Sequence, residues 1–247
     1  MKKWLAIVAS FIGVYLVFLL AMMPAKTVLN LVSLPNNIQI GEVNGSIWHS
    51  QIKSIKIDRQ VITHVDATLS VFSIFMFDPK FDITFGDAMV SAPEGSLTVS
   101  GLFSELRVND GKIQLSANNL VQQLNLPLPM KAHDYIDIQL EEFIVGAPIC
   151  QTLLGNINWE KASVTAMDET VPLGKLSANL TCDKGKVKLA VLESNDLGLT
   201  FTASIGKGFA TSGNGYLKPN NKTPNAIKQV LPFLGKVDNQ GRYRLRF

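Results

Sequence analysis

Residues 65–71 read Val-Asp-Ala-Thr-Leu-Ser-Val. Val65, Ala67, Leu69 and Val71 alternate with Asp66, Thr68 and Ser70. Successive side chains of an extended chain point to opposite faces, so this stretch reads as a strand with one buried and one wet face. The same period returns at Phe81, Ile83 and Phe85, interleaved with Asp82 and Thr84. Further runs follow at 96–99, 112–117, 135–143, 176–182 and 186–192. A spacing of about 10–15 residues between runs is the rhythm of a meandering antiparallel sheet.

The connections agree with that rhythm. Asp110-Gly111 and Asp183-Lys184-Gly185 are predicted hairpin turns, because glycine accepts the positive φ such turns demand. Helix signals are few. Residues 120–124 suit a single turn, and Thr223-Pro224 offers a capping hydroxyl and a first-turn proline for a helix over 226–231, ending near Pro232 or Gly235. At the carboxyl end Tyr243, Leu245 and Phe247 face one way and Arg242, Arg244 and Arg246 the other. The 18 glycines and 11 prolines, spread along the chain, suit a turn-rich β protein better than a helix bundle. Residues 127–129, bounded by prolines, mark a seam between two sheet halves. The expected fold is mainly β: an antiparallel, curved or sandwich-like sheet domain over 35–247 with few short helices.

The amino terminus obeys a different rule. Lys2 and Lys3 precede residues 4–23, twenty residues without a charge. As a helix rising 1.5 Å per residue these would be about 30 Å long, the thickness of a bilayer's hydrocarbon core. A cleaved signal peptide starts similarly but has a shorter apolar stretch and an A-x-A-like site, for which Met23-Pro24-Ala25 is a poor substitute. An uncleaved transmembrane helix over 4–23 is therefore the expectation, with residues 1–3 as a cytoplasmic tail. Pro24 is expected to kink it, residues 27–34 to extend it, and Pro35 to stop it. Only Lys26 supplies positive charge just beyond the span, so the positive-inside rule sends the bulk of the chain out of the cytoplasm. With no transit-peptide signature, the implied location is a bacterial inner membrane with the domain in the periplasm. Cys150 and Cys182 then sit in an oxidising compartment, which favours a disulfide over two unrelated buried thiols.

The composition narrows function mostly by exclusion. A net charge of +3, with 17% charged residues and no Lys/Arg run, excludes a typical nucleic-acid binder. His49, His64 and His133 are isolated, with no metal-ligand spacing around them. Glu141 and Glu142 are adjacent, so on a strand they point apart and cannot act as a carboxylate pair. Gly206-Lys207-Gly208 lacks phosphate-loop spacing, and Gly45-Ser46-Ile47 lacks the frame of a nucleophile elbow. No cofactor, metal or catalytic constellation is expected. Residues 72–77, Phe-Ser-Ile-Phe-Met-Phe, read as a buried strand in preference to a partner-docking or lipid-facing patch. The terminal Tyr-x-Leu-x-Phe resembles the last strand of an outer-membrane barrel, against which the N-terminal span and the terminal arginines weigh.

A set of landmarks recurs in order: Gly41-Glu42-Val43-Asn44-Gly45-Ser46-Ile47-Trp48; the aromatic run from Phe72 leading to Gly86-Asp87-Ala88; Gly155-Asn156-Ile157-Asn158-Trp159 with Ala162; Gly215-Tyr216-Leu217-Lys218-Pro219; Leu231-Pro232-Phe233-Leu234-Gly235; and Gly241-Arg242-Tyr243. With these the whole chain resembles the type II secretion system protein N (general secretion pathway protein N) family. His49 departs from the small residue expected after the tryptophan. The resemblance implies an accessory inner-membrane component of the apparatus that exports folded proteins from the periplasm across the outer membrane. Its partners would be other subunits of that apparatus and, through the N-terminal helix, inner-membrane lipid. The glycines would serve bulges and turns and the tryptophans the core, as fold landmarks. The reading from another class is a periplasmic lipid-handling sheet, with apolar strands such as 72–77 and 197–201 lining a groove.

Overall fold

The computed structural model describes residues 2–31, 38–57, 60–87, 93–102, 104–123, 130–166 and 168–246. Two helices come first, α1 (Lys2–Ala21) and α2 (Ala25–Leu31). The chain then forms β1 (Ile38–Ile40), β2 (Val43–Gly45), β3 (His49–Ile57), β4 (Gln60–Leu69), the short helix α3 (Val71–Phe75), β5 (Phe81–Phe85), β6 (Glu94–Ser100) and β7 (Arg107–Ser116). After α4 (Ala117–Gln123) come β8 (Met130–His133), β9 (Tyr135–Val145), β10 (Cys150–Ala166), β11 (Glu169–Asp183), β12 (Lys186–Val191), β13 (Leu199–Ile205) and β14 (Thr211–Leu217). Helix α5 (Asn225–Val230), a 3₁₀ turn (Leu231–Leu234) and β15 (Tyr243–Arg246) finish the fold.

All fifteen strands belong to one sheet, in the order β1-β3-β4-β5-β6-β7-β9-β10-β11-β12-β13-β14-β15, with β2 on β3 and β8 on β10. The path ends at β1 and β15, so the sheet is open. This corrects the sandwich-like alternative, since a sandwich needs two sheets face to face. It also corrects the barrel likeness, because among the described residues the terminal strands do not pair with each other. The seam expected at 127–129 lies outside the described residues.

The alternation seen in the sequence becomes a ladder of apolar side chains. The register aligns Ile113, Ile138, Ile157, Ala178 and Val191 across five consecutive strands. A second row aligns Phe81, Val99, Val108, Phe143 and Leu153. Cross-strand apolar pairs of this kind stabilise a sheet by about 0.2–1 kcal/mol each. Leu140 stands between Gly111 and Gly155, and a Cβ at either glycine would lie 3.0–3.1 Å from its side chain. Those glycines make room for one leucine. The best-buried cluster is Ala162, Val171, Leu173 and Leu197, closed over by Trp159, Leu199 and the α5 residues Ala226 and Ile227.

Several local expectations are corrected. Val71 leaves the strand and begins α3, and residues 72–77 are a helical turn, not a buried strand. The Ser73 hydroxyl explains this: it donates to the Ser70 carbonyl (2.6 Å) and accepts from the Lys80 N–H (2.9 Å), closing the chain into a loop. Asp110-Gly111 is no hairpin turn; it lies inside β7, where Asp110 (φ 51°) and Gly111 fall at a register shift against β6, between the pairs Thr98–Asn109 and Ser96–Lys112. A bulge and a turn both call for positive φ, so the dipeptide serves either. Lys184-Gly185 is a two-residue hairpin loop, with φ of 52° and 78°. Thr223 does not cap α5; its hydroxyl donates to the Leu197 carbonyl (3.2 Å) instead. Pro24 interrupts the helix outright: α1 ends at Ala21, Pro24 bridges to Ser46, and α2 restarts at Ala25. Pro35, expected to stop the helix, lies outside the described residues.

Helix α1 is twenty residues long. Among residues whose side chains are described, no helix is long and apolar enough to cross a membrane.

Candidate functional site

The polar residues considered for chemistry are scattered. His49 on β3 sits 3.2 Å from the Thr68 hydroxyl, and His133 on β8 sits 2.7 Å from the Thr165 hydroxyl. His64 lies within β4 at a φ of 51°. Among the described residues no group of three or more His, Cys, Asp and Glu side chains could hold a metal. The landmark residues, by contrast, fall into three defined places.

At the first, Gly45 closes β2 onto β3. Its φ is 91°, and a Cβ there would stand 2.3 Å from the His49 carbonyl oxygen, so only glycine fits. The turn presents Trp48 to the N-terminal segment. The Trp48 indole N–H donates to the Ala21 carbonyl (3.1 Å), and the Ile47 N–H donates to the Met23 carbonyl (3.0 Å). The end of α1 is thereby bonded to the first turn of the sheet.

The second place repeats the device. Trp159 on β10 donates its indole N–H to the His133 carbonyl (3.0 Å), reaching 26 residues back where Trp48 reaches 27. Gly155, four residues earlier, has the Gln139 carbonyl 2.6 Å from where its Cβ would be. Trp159→Phe keeps the ring over the Ala162 cluster and deletes the donor, leaving the carbonyl to water. We expect a loss of about 1 kcal/mol, read as a lower urea midpoint at unchanged slope. A loss below a few tenths would mean that the ring's packing alone matters there.

The third place gathers most of the carboxyl-terminal landmarks. Gly215 is crossed by Phe201 on the neighbouring strand, and a Cβ there would be 2.7 Å from the Phe201 Cα. The next residue, Tyr216, carries the Arg242 guanidinium 4.2 Å above its ring centre, a cation–π contact. Arg242 also donates from Nε to Asp238 Oδ2 (2.8 Å). The backbone N–H groups of Arg242 and Gln240 both donate to Asp238 Oδ1 (2.9 Å each). The Arg242 backbone N–H, opposed by desolvation and then aided by the Arg242 guanidinium and the Gln240 N–H, holds the Asp238 carboxyl below its ordinary value. Gly241 (φ 74°) completes that turn, and Gly235 (φ 123°) ends the 3₁₀ turn. Pro219 and Arg242 line one open cavity of about 330 Å³ with Gly198, Thr200 and Asn220. Tyr243 pairs with Leu217, and Arg244 with Tyr216. The sequence pattern pointed to Arg242 but not to Asp238; its signal was the i,i+4 Asp/Arg spacing.

β15 bonds only to β14, so among the described residues its outer edge has no strand partner. The 3₁₀ turn Leu231–Leu234 packs beside it and leaves Phe233 89% exposed. An unpaired backbone edge flanked by an exposed aromatic ring can accept a strand from another chain. Phe247 lies outside the described residues. Elsewhere, Cys150 and Cys182 are joined by a disulfide that ties the start of β10 to the end of β11.

A family model described as type II secretion system (T2SS), protein N, matches residues 36–246. The type II secretion system protein N of Aeromonas hydrophila is 28% identical over all of this chain and 98% of its own length. That of Vibrio cholerae serotype O1 is 22% identical over 90% of this chain and 88% of its own. That of Klebsiella pneumoniae is 24% identical over all of this chain and 96% of its own. No solved structure matches the chain.

Proposed function

The chain belongs to the type II secretion system protein N family, and from that premise we propose that it is an inner-membrane component of type II secretion that acts through protein–protein contacts. The observation that carries the contact reading is the open edge at β15, bordered by Phe233 and by the exposed Arg244 and Arg246. The arginines keep such an edge from indiscriminate pairing, while its backbone groups can be completed by a strand from a partner subunit. Helix α1 is the anchor. Its sequence from residue 4 onward carries no charge, and its length matches a hydrocarbon core of about 30 Å. In this arrangement residues 1–3 face the cytoplasm, 4–23 span, and 35–247 work in the periplasm, with neither nucleic acid nor a catalytic reaction involved.

Single cysteines at Arg244 and Arg246, tested by in-cell crosslinking in membranes that hold the complete apparatus, examine this directly. Adducts to one defined secretion subunit are expected. No adduct to any subunit, together with normal secretion after deletion of residues 35–247, would end the contact reading.

A second reading has its own support. The apolar rows through Ile113–Ile138–Ile157 and Phe81–Val99–Val108 belong to an open sheet, and their members are only half-buried. A half-covered apolar face of this extent suits acyl chains, so a lipid-handling role is the alternative. Lipid retained after gentle purification, seen by native mass spectrometry, favours it; a lipid-free protein counts against it.

A further inference from the structure

We propose that α3 and the turn after it form a wedge that inserts into the surface of the bilayer beside the point where α1 leaves it. This rests on reading α1 as the membrane span.

The first observation is exposure. Phe72, Phe75, Met76 and Phe77 are 69%, 77%, 65% and 89% exposed, and Val71 is also exposed. Apolar side chains of this size gain substantially by leaving water. A contiguous group of this kind on a surface marks a place that is covered in use.

The second is that the group is held outward by the fold. Ser73, only 5% exposed, faces inward and ties Ser70 to Lys80 through its hydroxyl. The Ser70 N–H donates to the Lys80 carbonyl (2.9 Å), and Asp78 Oδ1 accepts the Gly101 N–H (2.9 Å). Phe77 adopts a φ of 56°, unfavourable for an aromatic residue, and its ring is the most exposed of the four. The polar atoms of the segment close its base and leave the aromatic side chains on the outside.

The third observation, which selects lipid as the occupant, is position. The Leu69 N–H donates to the Trp48 carbonyl (3.0 Å), and the Trp48 indole donates to the Ala21 carbonyl at the end of α1 (3.1 Å). Leu69 is two residues before α3 begins, so α3 starts within roughly 20 Å of the end of α1, at the same end of the strands. Leu102, half-exposed on the β6–β7 connection, lies at this end as well, beside the Gly101–Asp78 bond. Lys26 and Lys80 are exposed next to the two segments, where lipid phosphates would meet them. Apolar rings within reach of the bilayer, with basic side chains beside them, are the composition of an interfacial anchor that buries about 5–10 Å into the headgroup–acyl boundary.

The test uses the full chain in nanodiscs with the native disulfide intact. An environment-sensitive fluorophore is placed on one added cysteine at a time: Phe75→Cys, Phe77→Cys, Tyr15→Cys in α1, and Glu169→Cys at the opposite end of the strands. Quenching is read with lipids that carry a nitroxide at shallow or deep acyl positions. The labels at 75 and 77 are expected to lose about half their emission to shallow nitroxides, the depth of an interfacial anchor, with the label at 169 unaffected. If they behave like the label at 169 while the label at 15 is quenched by deep nitroxides, the wedge is wrong and the span stands. If the label at 15 is untouched, the span reading itself has failed. A photoreactive phenylalanine at 75 that links to a protein subunit or a second copy in native membranes, without nitroxide quenching, would also overturn the wedge and make α3 a protein dock.

Discussion

Gly215→Val is expected to lower the thermal unfolding midpoint by roughly 6–12 °C, the equivalent of about 3 kcal/mol for a domain of this size. Gly215 lies mid-strand in β14, and a Cβ there would stand 2.1 Å from the Thr200 carbonyl oxygen and 2.7 Å from the Phe201 Cα. These obstacles are backbone atoms of β13, so no side-chain rotation relieves the clash. The two strands must separate, and the pairs from Leu199–Leu217 to Ile205–Thr211 share the disturbance. Gly206→Ala is the control, because a Cβ at Gly206 meets nothing closer than 3.7 Å. Circular dichroism of both variants in detergent checks the contrast. Similar melting for the two would mean that the sheet gives way at β14 more easily than its packing implies.

The second large effect concerns the Cys150–Cys182 disulfide, which closes 32 residues of chain. By the loop-entropy argument a closure of that length disfavours the unfolded state by about 3–4 kcal/mol. Cys150→Ala with Cys182→Ala is expected to forfeit most of that, with alanine chosen because Cys150 is almost fully buried and a hydroxyl there would lack a partner. The measurement is the denaturation midpoint with and without reductant. Reductant should shift the parent protein toward the double variant and leave the variant where it was. A parent unmoved by complete reduction would show that β10 and β11 hold together through their long ladder alone.

The sheet was legible because its evidence is local. Val65, Ala67 and Leu69, like Phe81, Ile83 and Phe85, announce a strand through a two-residue period that needs no partner to be recognised. Residues 72–77 were not legible, because Phe-Ser-Ile-Phe-Met-Phe has the composition of a buried strand. What turns it into a helix is the Ser73 hydroxyl reaching Lys80, seven residues away. Thr223 misled for a similar reason: a carbonyl 26 residues upstream, at Leu197, claimed the hydroxyl expected to cap α5. At the candidate site, the landmark residues could be found in the sequence. The carbonyls that receive the two indole N–H groups could not, since nothing in a one-dimensional pattern couples Trp48 to Ala21 or Trp159 to His133.

From β3 onward, almost every strand joins the one laid down just before it. Apart from β8, which pairs with the later β10, each of these strands finds its partner already made, and most of the loops that close are short, so little chain entropy opposes most steps. A chain emerging amino-terminus first can thus fold vectorially, each new segment zipping onto a template already in place. An arrest at any point would leave a shorter sheet with a fresh edge, able to resume when the next strand appears.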